Sequence, residues 1–214
     1  MRTITLLIAA AALAVGIISV QAQTVYSANV VGYVNLSLPA GYSMIANQLD
    51  ADGTGTNNTP FTVLGTNLPA NTYVYMWNGS GFVSTKWLAS GKWTAYSALF
   101  TNVMQPHAGF FLDLPVATNV TLVGNVIQGT NTFPITAGYQ VVAPNVPLAD
   151  TITNLGYVPT KNDYVYIWNG TGFIGHKFLG TTWTGGGVPT YSVGQAMFLD
   201  AVANTNWIQS FTVQ

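Results

Sequence analysis

The chain of 214 residues contains no cysteine, which excludes disulfides, a thiol nucleophile and acylation at a lipoprotein cysteine. Glutamate is missing too, and the single arginine is Arg2. Only 5% of residues are charged: beyond Arg2 they are Lys86, Lys92, Lys161 and Lys177 against Asp50, Asp52, Asp113, Asp150, Asp163 and Asp200. Four lysines against six aspartates leave about −2 without Arg2. So few cations cannot neutralise many phosphates, so no nucleic acid partner is expected. A polybasic contact with a membrane surface fails for the same reason. Beyond the N-terminus, no segment keeps an apolar spacing of about 3.6 residues long enough for a substantial helix. What remains is apolar (49%) and rich in aromatics (13%), a composition that folds rather than staying disordered.

The one long hydrophobic run lies at the N-terminus. Arg2 is a short basic region, residues 4–20 are apolar apart from breaks such as Thr5, Gly16 and Ser19, and Val20-Gln21-Ala22 places small residues at −3 and −1. We read residues 1–22 as a signal peptide, the mature chain beginning at Gln23. Secretion to the periplasm, cell surface or exterior follows. No charged stop-transfer flank comes after the run, so no integral membrane span is expected after cleavage.

Internal repetition organises the rest. YVYMWNGSGFVSTKW at 73–87 returns as YVYIWNGTGFIGHKF at 164–178. Gly41-Tyr42 returns as Gly138-Tyr139, and Phe111-Leu112-Asp113 as Phe198-Leu199-Asp200. A period of roughly 90 residues is too long for a solenoid and indicates a tandem pair. Residues 23–128 are the first β-repeat module and 129–214 the second. Val31-Gly32-Tyr33-Val34, Val123-Gly124-Asn125-Val126 and residues 207–213 read as strands that open, join and close the pair.

Short Val-, Ile-, Thr- and Tyr-rich runs between Gly, Asn and Pro clusters indicate an all-β fold. The expected architecture is two similar antiparallel modules, each a small barrel or sandwich, packed with pseudo-two-fold symmetry. Single helical turns are expected at residues 59–64, from Thr59-Pro60, and at 150–155, before Gly156. An outer-membrane barrel is disfavoured, since its strands need about 9–11 residues.

The repeated hairpin turns at Asn78-Gly79 and Asn169-Gly170, which supply positive φ, and the strand parity is the same whether the first turn is that two-residue loop or the four residues 78–81. Strand parity then puts Tyr73, Tyr75, Trp77, Phe82 and Lys86 on one face, and Tyr164, Tyr166, Trp168, Phe173 and Lys177 on its counterpart. The opposite, mainly aliphatic faces fit a core. The aromatic faces either pack as a second layer or form a stacking platform for sugars or a partner.

Reactive chemistry has little to draw on. His107 and His176 fall at unrelated repeat positions, without a Cys, Glu or second His at ligand spacing, so no zinc site is expected. Residues 50–58, DADGTGTNN, alternate oxygen donors as a calcium loop does, but Thr54 replaces a carboxylate and Phe61 stands where a bidentate Glu is needed. Asp113 and Asp200 end equivalent strands and suit pairing with Lys86 and Lys177 better than glycoside hydrolysis, which needs two carboxylates together. The NGSG at 78–81 is a turn, not a nucleophile elbow. No cofactor, metal or catalytic residue is expected, and the chain is not read as an enzyme.

SANVVGYVN, LPAGYSMIANQL, WNGSGF with the later Trp93, GFFLDLP and the shorter second copy together resemble a family of secreted two-repeat all-β proteins of environmental bacteria. The resemblance spans the mature chain, rests on packing and turn motifs, and implies the fold and export but no activity. The expected role is a non-catalytic envelope or extracellular protein acting by self-association or by contact with a matrix component. The alternative is a glycan-binding module using the aromatic hairpin faces.

Overall fold

A computed structural model describes residues 30–94, 100 and 103–212; the expected signal peptide lies outside them. Among these residues the fold is all-β with one short helix. The first strands are β1 (Val30–Leu38) and β2 (Gly41–Ala46), followed by helix α1 (Pro60–Leu64). Then come β3 (Tyr73–Trp77), β4 (Phe82–Lys86), β5 (Gly109–Leu114), β6 (Thr118–Val126), β7 (Gly129–Ile135) and β8 (Gly138–Val142). The chain ends through β9 (Asp150–Thr151), β10 (Tyr164–Trp168), β11 (Phe173–Lys177), β12 (Thr190–Tyr191), β13 (Met197–Ala201) and β14 (Thr205–Phe211).

Two four-stranded sheets, β2-β5-β3-β4 and β8-β13-β10-β11, carry the structure, with ribbons β1-β6 and β7-β14 and a small β9-β12 pair. All pairings are antiparallel. The chain passes from ribbon to sheet at Gly41 and Gly138, with φ of 89° and 98°, a conformation that a side chain on Cβ disfavours. Ribbon residues Val34, Val120 and Leu122 join Ile45, Val74 and Leu112 of the first sheet in one buried cluster. Phe133, Ile135 and Trp207 do the same with Val142, Val165 and Leu199. Each such side chain, fully buried, contributes about 1.5–3 kcal/mol. In β1-β6 the pair Gly32↔Gly124 leaves room for the chain leaving β2: a Cβ on Gly124 would sit 2.6 Å from Asp50 O.

The sheets are joined at their β2 and β8 edges. Ala46 N–H donates to Gly194 O (2.9 Å), Ala196 N–H to Met44 O (3.2 Å) and Ala143 N–H to His107 O (2.8 Å). Close approach there needs Gly109, whose Cβ would lie 2.5 Å from Ala196 Cβ and 2.7 Å from Val141 Cγ1. Gln48, fully buried, locks the joint: its Nε2 donates to Pro144 O (3.2 Å) and Val146 O (2.9 Å), and its Oε1 accepts from Gly194 N–H (2.6 Å).

The turn expected at Thr59-Pro60 is α1, with Thr59 and Thr62 forming a reciprocal capping box and Pro60 in the first turn. The one expected at 150–155 is corrected. Asp150–Thr151 is the strand β9 paired with β12, and the turn comes after it, closed by Leu155 N–H to Thr151 O (3.0 Å), Gly156 N–H to Thr153 O (3.0 Å) and Tyr157 N–H to Ile152 O (3.1 Å). Ile152 N–H goes to Pro189 O (2.9 Å), so a distant strand captures a donor that a helix would leave free at its first turn.

Candidate functional site

The hairpin register places the aromatic residues as strand parity requires. Trp77 faces Phe82, Tyr75 faces Ser84 and Tyr73 faces Lys86; Trp168 faces Phe173, Tyr166 faces Gly175 and Tyr164 faces Lys177. The turn is a two-residue loop inside Asn78 and Gly81. Asn78 N–H donates to Gly81 O (3.0 Å), Gly79 takes the positive φ of 98°, and Asn78 Oδ1 accepts from the N–H of Ser80 and Gly81 (3.0 and 2.9 Å). Asn78 thus works through its side chain; its own φ is not positive. Asn169 and Gly170 repeat the arrangement.

Neighbouring strands widen each face. Tyr73 has Asp113 on its other side and Asp113 faces Tyr42; Tyr164 has Asp200, which faces Tyr139. Each lysine lies over its tyrosine: Lys86 Nζ is 5.3 Å from the Tyr73 ring centre and Lys177 Nζ is 5.1 Å from that of Tyr164. Lysine and aspartate therefore flank one phenol ring in each row, which holds the cation by its π face. Tyr73 and Tyr75 stack at 6.0 Å, Tyr164 and Tyr166 at 5.7 Å. Burial first, then a hydroxyl bond to Tyr42, pushes the Tyr75 phenol up to about 12; burial and Tyr139 do the same for Tyr166, to about 12. Both phenols are neutral hydrogen-bonding groups near pH 7.

At the inner ends the two faces meet. Trp77 Nε1–H donates to Tyr139 O (2.9 Å), and Trp168 Nε1–H donates to Tyr42 O (3.1 Å). Trp77 packs edge-on against Phe198 at 5.4 Å and Trp168 against Phe111 at 5.3 Å. Phe82 and Phe173 both reach Phe198, at 5.8 and 5.5 Å. The result is a cleft between the sheets, with a cavity of about 440 Å³ lined by Trp77, Tyr139, Tyr166, Phe173 and Phe198. A second cavity of about 300 Å³ shares Trp77 and Tyr139 with it and is bordered by His107, Thr136 and Gln140 among others. Tyr42, Tyr139, Phe111 and Phe198 thus complete the hairpin faces. Their signal in the sequence is the repeated Gly-Tyr and Phe-Leu-Asp.

The remaining candidates are held in structural bonds. His107 is stacked on Phe133 at 4.6 Å, and burial pushes its imidazole below the ordinary value. His176 Nδ1 lies 3.2 Å from both Thr184 O and Gly187 O, pinning that glycine-rich loop. Asp50 accepts from Gly55 N–H (2.8 Å) and Asn58 Nδ2 (3.1 Å). Asp52 accepts from Thr54 N–H (2.9 Å) and Thr54 Oγ1 (2.8 Å), chiefly the first of which holds its carboxyl below the usual range. Among the described residues no three His, Cys, Asp or Glu gather as a metal site would need. Asp163, not singled out in the sequence, is a buried carboxylate accepting from Tyr157 Oη (2.7 Å), Thr160 N–H (2.7 Å) and Val202 N–H (2.9 Å).

No helix among the described residues is long and apolar enough to cross a membrane, which says nothing of a β-barrel. Compared with protein-family models, curated proteins and solved structures, the chain matches none.

Proposed function

We propose that this is an exported, non-catalytic protein of the envelope or extracellular matrix, and that it acts by association through the aromatic cleft. The observation that carries this reading is exposure: Phe173 (43%) and Tyr139 (52%) line the cleft, Phe82 (41%) packs on Phe198 of its lining, and Tyr42 (47%) borders a neighbouring cavity of about 260 Å³ with Trp168. Large rings left uncovered together mark an interaction surface, whereas scattered ones need no explanation. The stacking of His107 on Phe133 and the bonds that occupy His176, Asp50, Asp52 and Asp163 support a scaffold role for those side chains over acid–base work.

The same proposal takes the chain as a tandem duplication with pseudo-two-fold symmetry, dividing at 128/129 between β6 and β7. Its supports are the matching strand orders β2-β5-β3-β4 and β8-β13-β10-β11 and the mirrored indole bonds of Trp77 and Trp168. Kinship with the secreted two-repeat proteins, cleavage after residue 22 and a location in the periplasm, at the surface or outside belong to it as well.

Two measurements test it. Mass spectrometry of exported protein should find Gln23 at the N-terminus, and an intact segment 1–22 would overturn export. Purified protein should be retained on isolated envelope or matrix material, and a Phe82→Ser/Phe173→Ser variant should wash off. Equal retention of a folded double variant removes the cleft from the reading.

A further inference from the structure

Building on the reading that the protein associates through its cleft, we infer that the cleft is a carbohydrate site for a chain of neutral hexopyranose units. The lining of the larger cavity is entirely aromatic, although the opposite faces of the same sheets carry ample aliphatic residues. An aliphatic ligand has no need of rings. A pyranose does, because its flat face carries C–H bonds polarised by neighbouring oxygens, and the negative face of an aromatic ring attracts them. A sugar also needs partners for its hydroxyls at the edge of that contact. Tyr166 and Tyr139 provide them: their rings stack at 6.4 Å in the lining of the cavity, and burial first, then Tyr139 beside it, keeps the Tyr166 phenol neutral.

Charge decides between neutral and acidic glycans. Each row carries one lysine and one aspartate on either side of a tyrosine, so the rim has no excess of either sign. A uronate or sulfated chain would meet as many carboxylates as cations in these rows, and no arginine follows Arg2. Geometry decides between one sugar and a chain. The 440 Å³ and 300 Å³ cavities share Trp77 and Tyr139 as a common wall, and the smaller one adds Thr136, Gln140 and His107 as polar neighbours. Successive units can occupy the two cavities that these residues line. The Trp77 indole is already fixed by its bond to Tyr139 O (2.9 Å), so binding has little ordering left to do.

The test is native electrophoresis of the folded mature protein through gels containing hydroxyethylcellulose, galactomannan or, as acidic control, polygalacturonate. Variants Tyr139→Ser and Phe173→Ser remove exposed rings and leave the Tyr139 carbonyl in place for Trp77; their melting curves check folding. At least one neutral polysaccharide should retard the wild type, and each variant should bind it about three- to tenfold more weakly, as for loss of one aromatic contact. Absence of retardation by both neutral polymers, retardation by polygalacturonate alone, or unchanged retardation of both folded variants would overturn the inference. If envelope or matrix retention persists in that case, the association reading stands without a carbohydrate ligand. If retention fails as well, both fall.

Discussion

His107 shows how much one residue can owe to its surroundings. Its φ is 106°, in a region that Asn71 and Asn162 also enter but that a histidine rarely occupies. The joint between the sheets holds it there: its N–H donates to Asn47 O (3.1 Å) and its carbonyl accepts from Ala143 (2.8 Å). Burial depresses the imidazole pKa from 6.5, so the folded state favours the neutral ring while the unfolded chain takes up a proton as pH falls through about 6.5. Stability from this group is therefore complete above that value and declines toward the depressed folded pKa. The urea midpoint should fall between pH 7.5 and 5.5, and His107→Asn, which tolerates the same φ, should flatten that decline. An equal decline in the variant would refute the assignment. Asp52 and Asp150 do not confuse the test: held low, mainly by the N–H of Thr54 and Thr151, they lose their contribution only below about 3.8. The sequence carried no sign of this role, because the contacts that strain and bury the ring come from β8 and Phe133, far along the chain.

Among elements, two glycines separate backbone strain from crowding. Gly79 has φ of 98° and open space where a Cβ would go, so Gly79→Ala should cost about 1–2 kcal/mol through conformation alone. Gly109 has no such φ but no room either, and Gly109→Ala should cost about 1–3 kcal/mol by forcing β5 away from Ala196 and Val141. Urea denaturation distinguishes them, since only the second change should be relieved by Val141→Ala, and then in part, because the Ala196 contact remains. The loop at 50–58 gives a further expectation. Its carboxylates already accept from Gly55, Asn58 and Thr54, so millimolar calcium should leave the melting temperature nearly unchanged. A site held at 100 times its dissociation constant would add about 2.7 kcal/mol, so a rise of several degrees reversed by chelator would contradict this reading. The hairpin faces and α1 were legible because parity, capping and turn preference depend on near neighbours. At 150–155 the turn lies where expected only from Thr151 onward: Asp150–Thr151 pairs as a strand and Ile152 N–H goes to Pro189 O, a partner that no local pattern announces.

At the scale of the molecule, the two sheets should unfold together. Gln48 reaches Pro144, Val146 and Gly194, and indoles cross the seam in both directions. The second buried cluster also includes Met44, Ala46 and Phe111 from the first sheet. Far-UV circular dichroism and tryptophan fluorescence should therefore give one coincident transition. Gln48→Leu, which strands the Pro144 carbonyl and the Gly194 N–H, should lower stability by about 2–4 kcal/mol without splitting that transition. Two separated transitions in the wild type would mean that the seam is too weak to couple the halves.

The order of residues was enough to determine an all-β chain, the absence of cysteine chemistry, and the membership of each hairpin face. These are matters of composition and of period-two alternation, which a strand obeys wherever it lies. It could not determine what each face meets. Whether Trp77 would lie open or be tied by its indole, and whether Tyr139 would stand at a rim, depended on how closely two sheets approach. That distance is set by Gly109 at the joint and by the buried amide of Gln48, through contacts between segments tens of residues apart. The aromatic cleft exists because two faces that were each legible alone are turned toward one another.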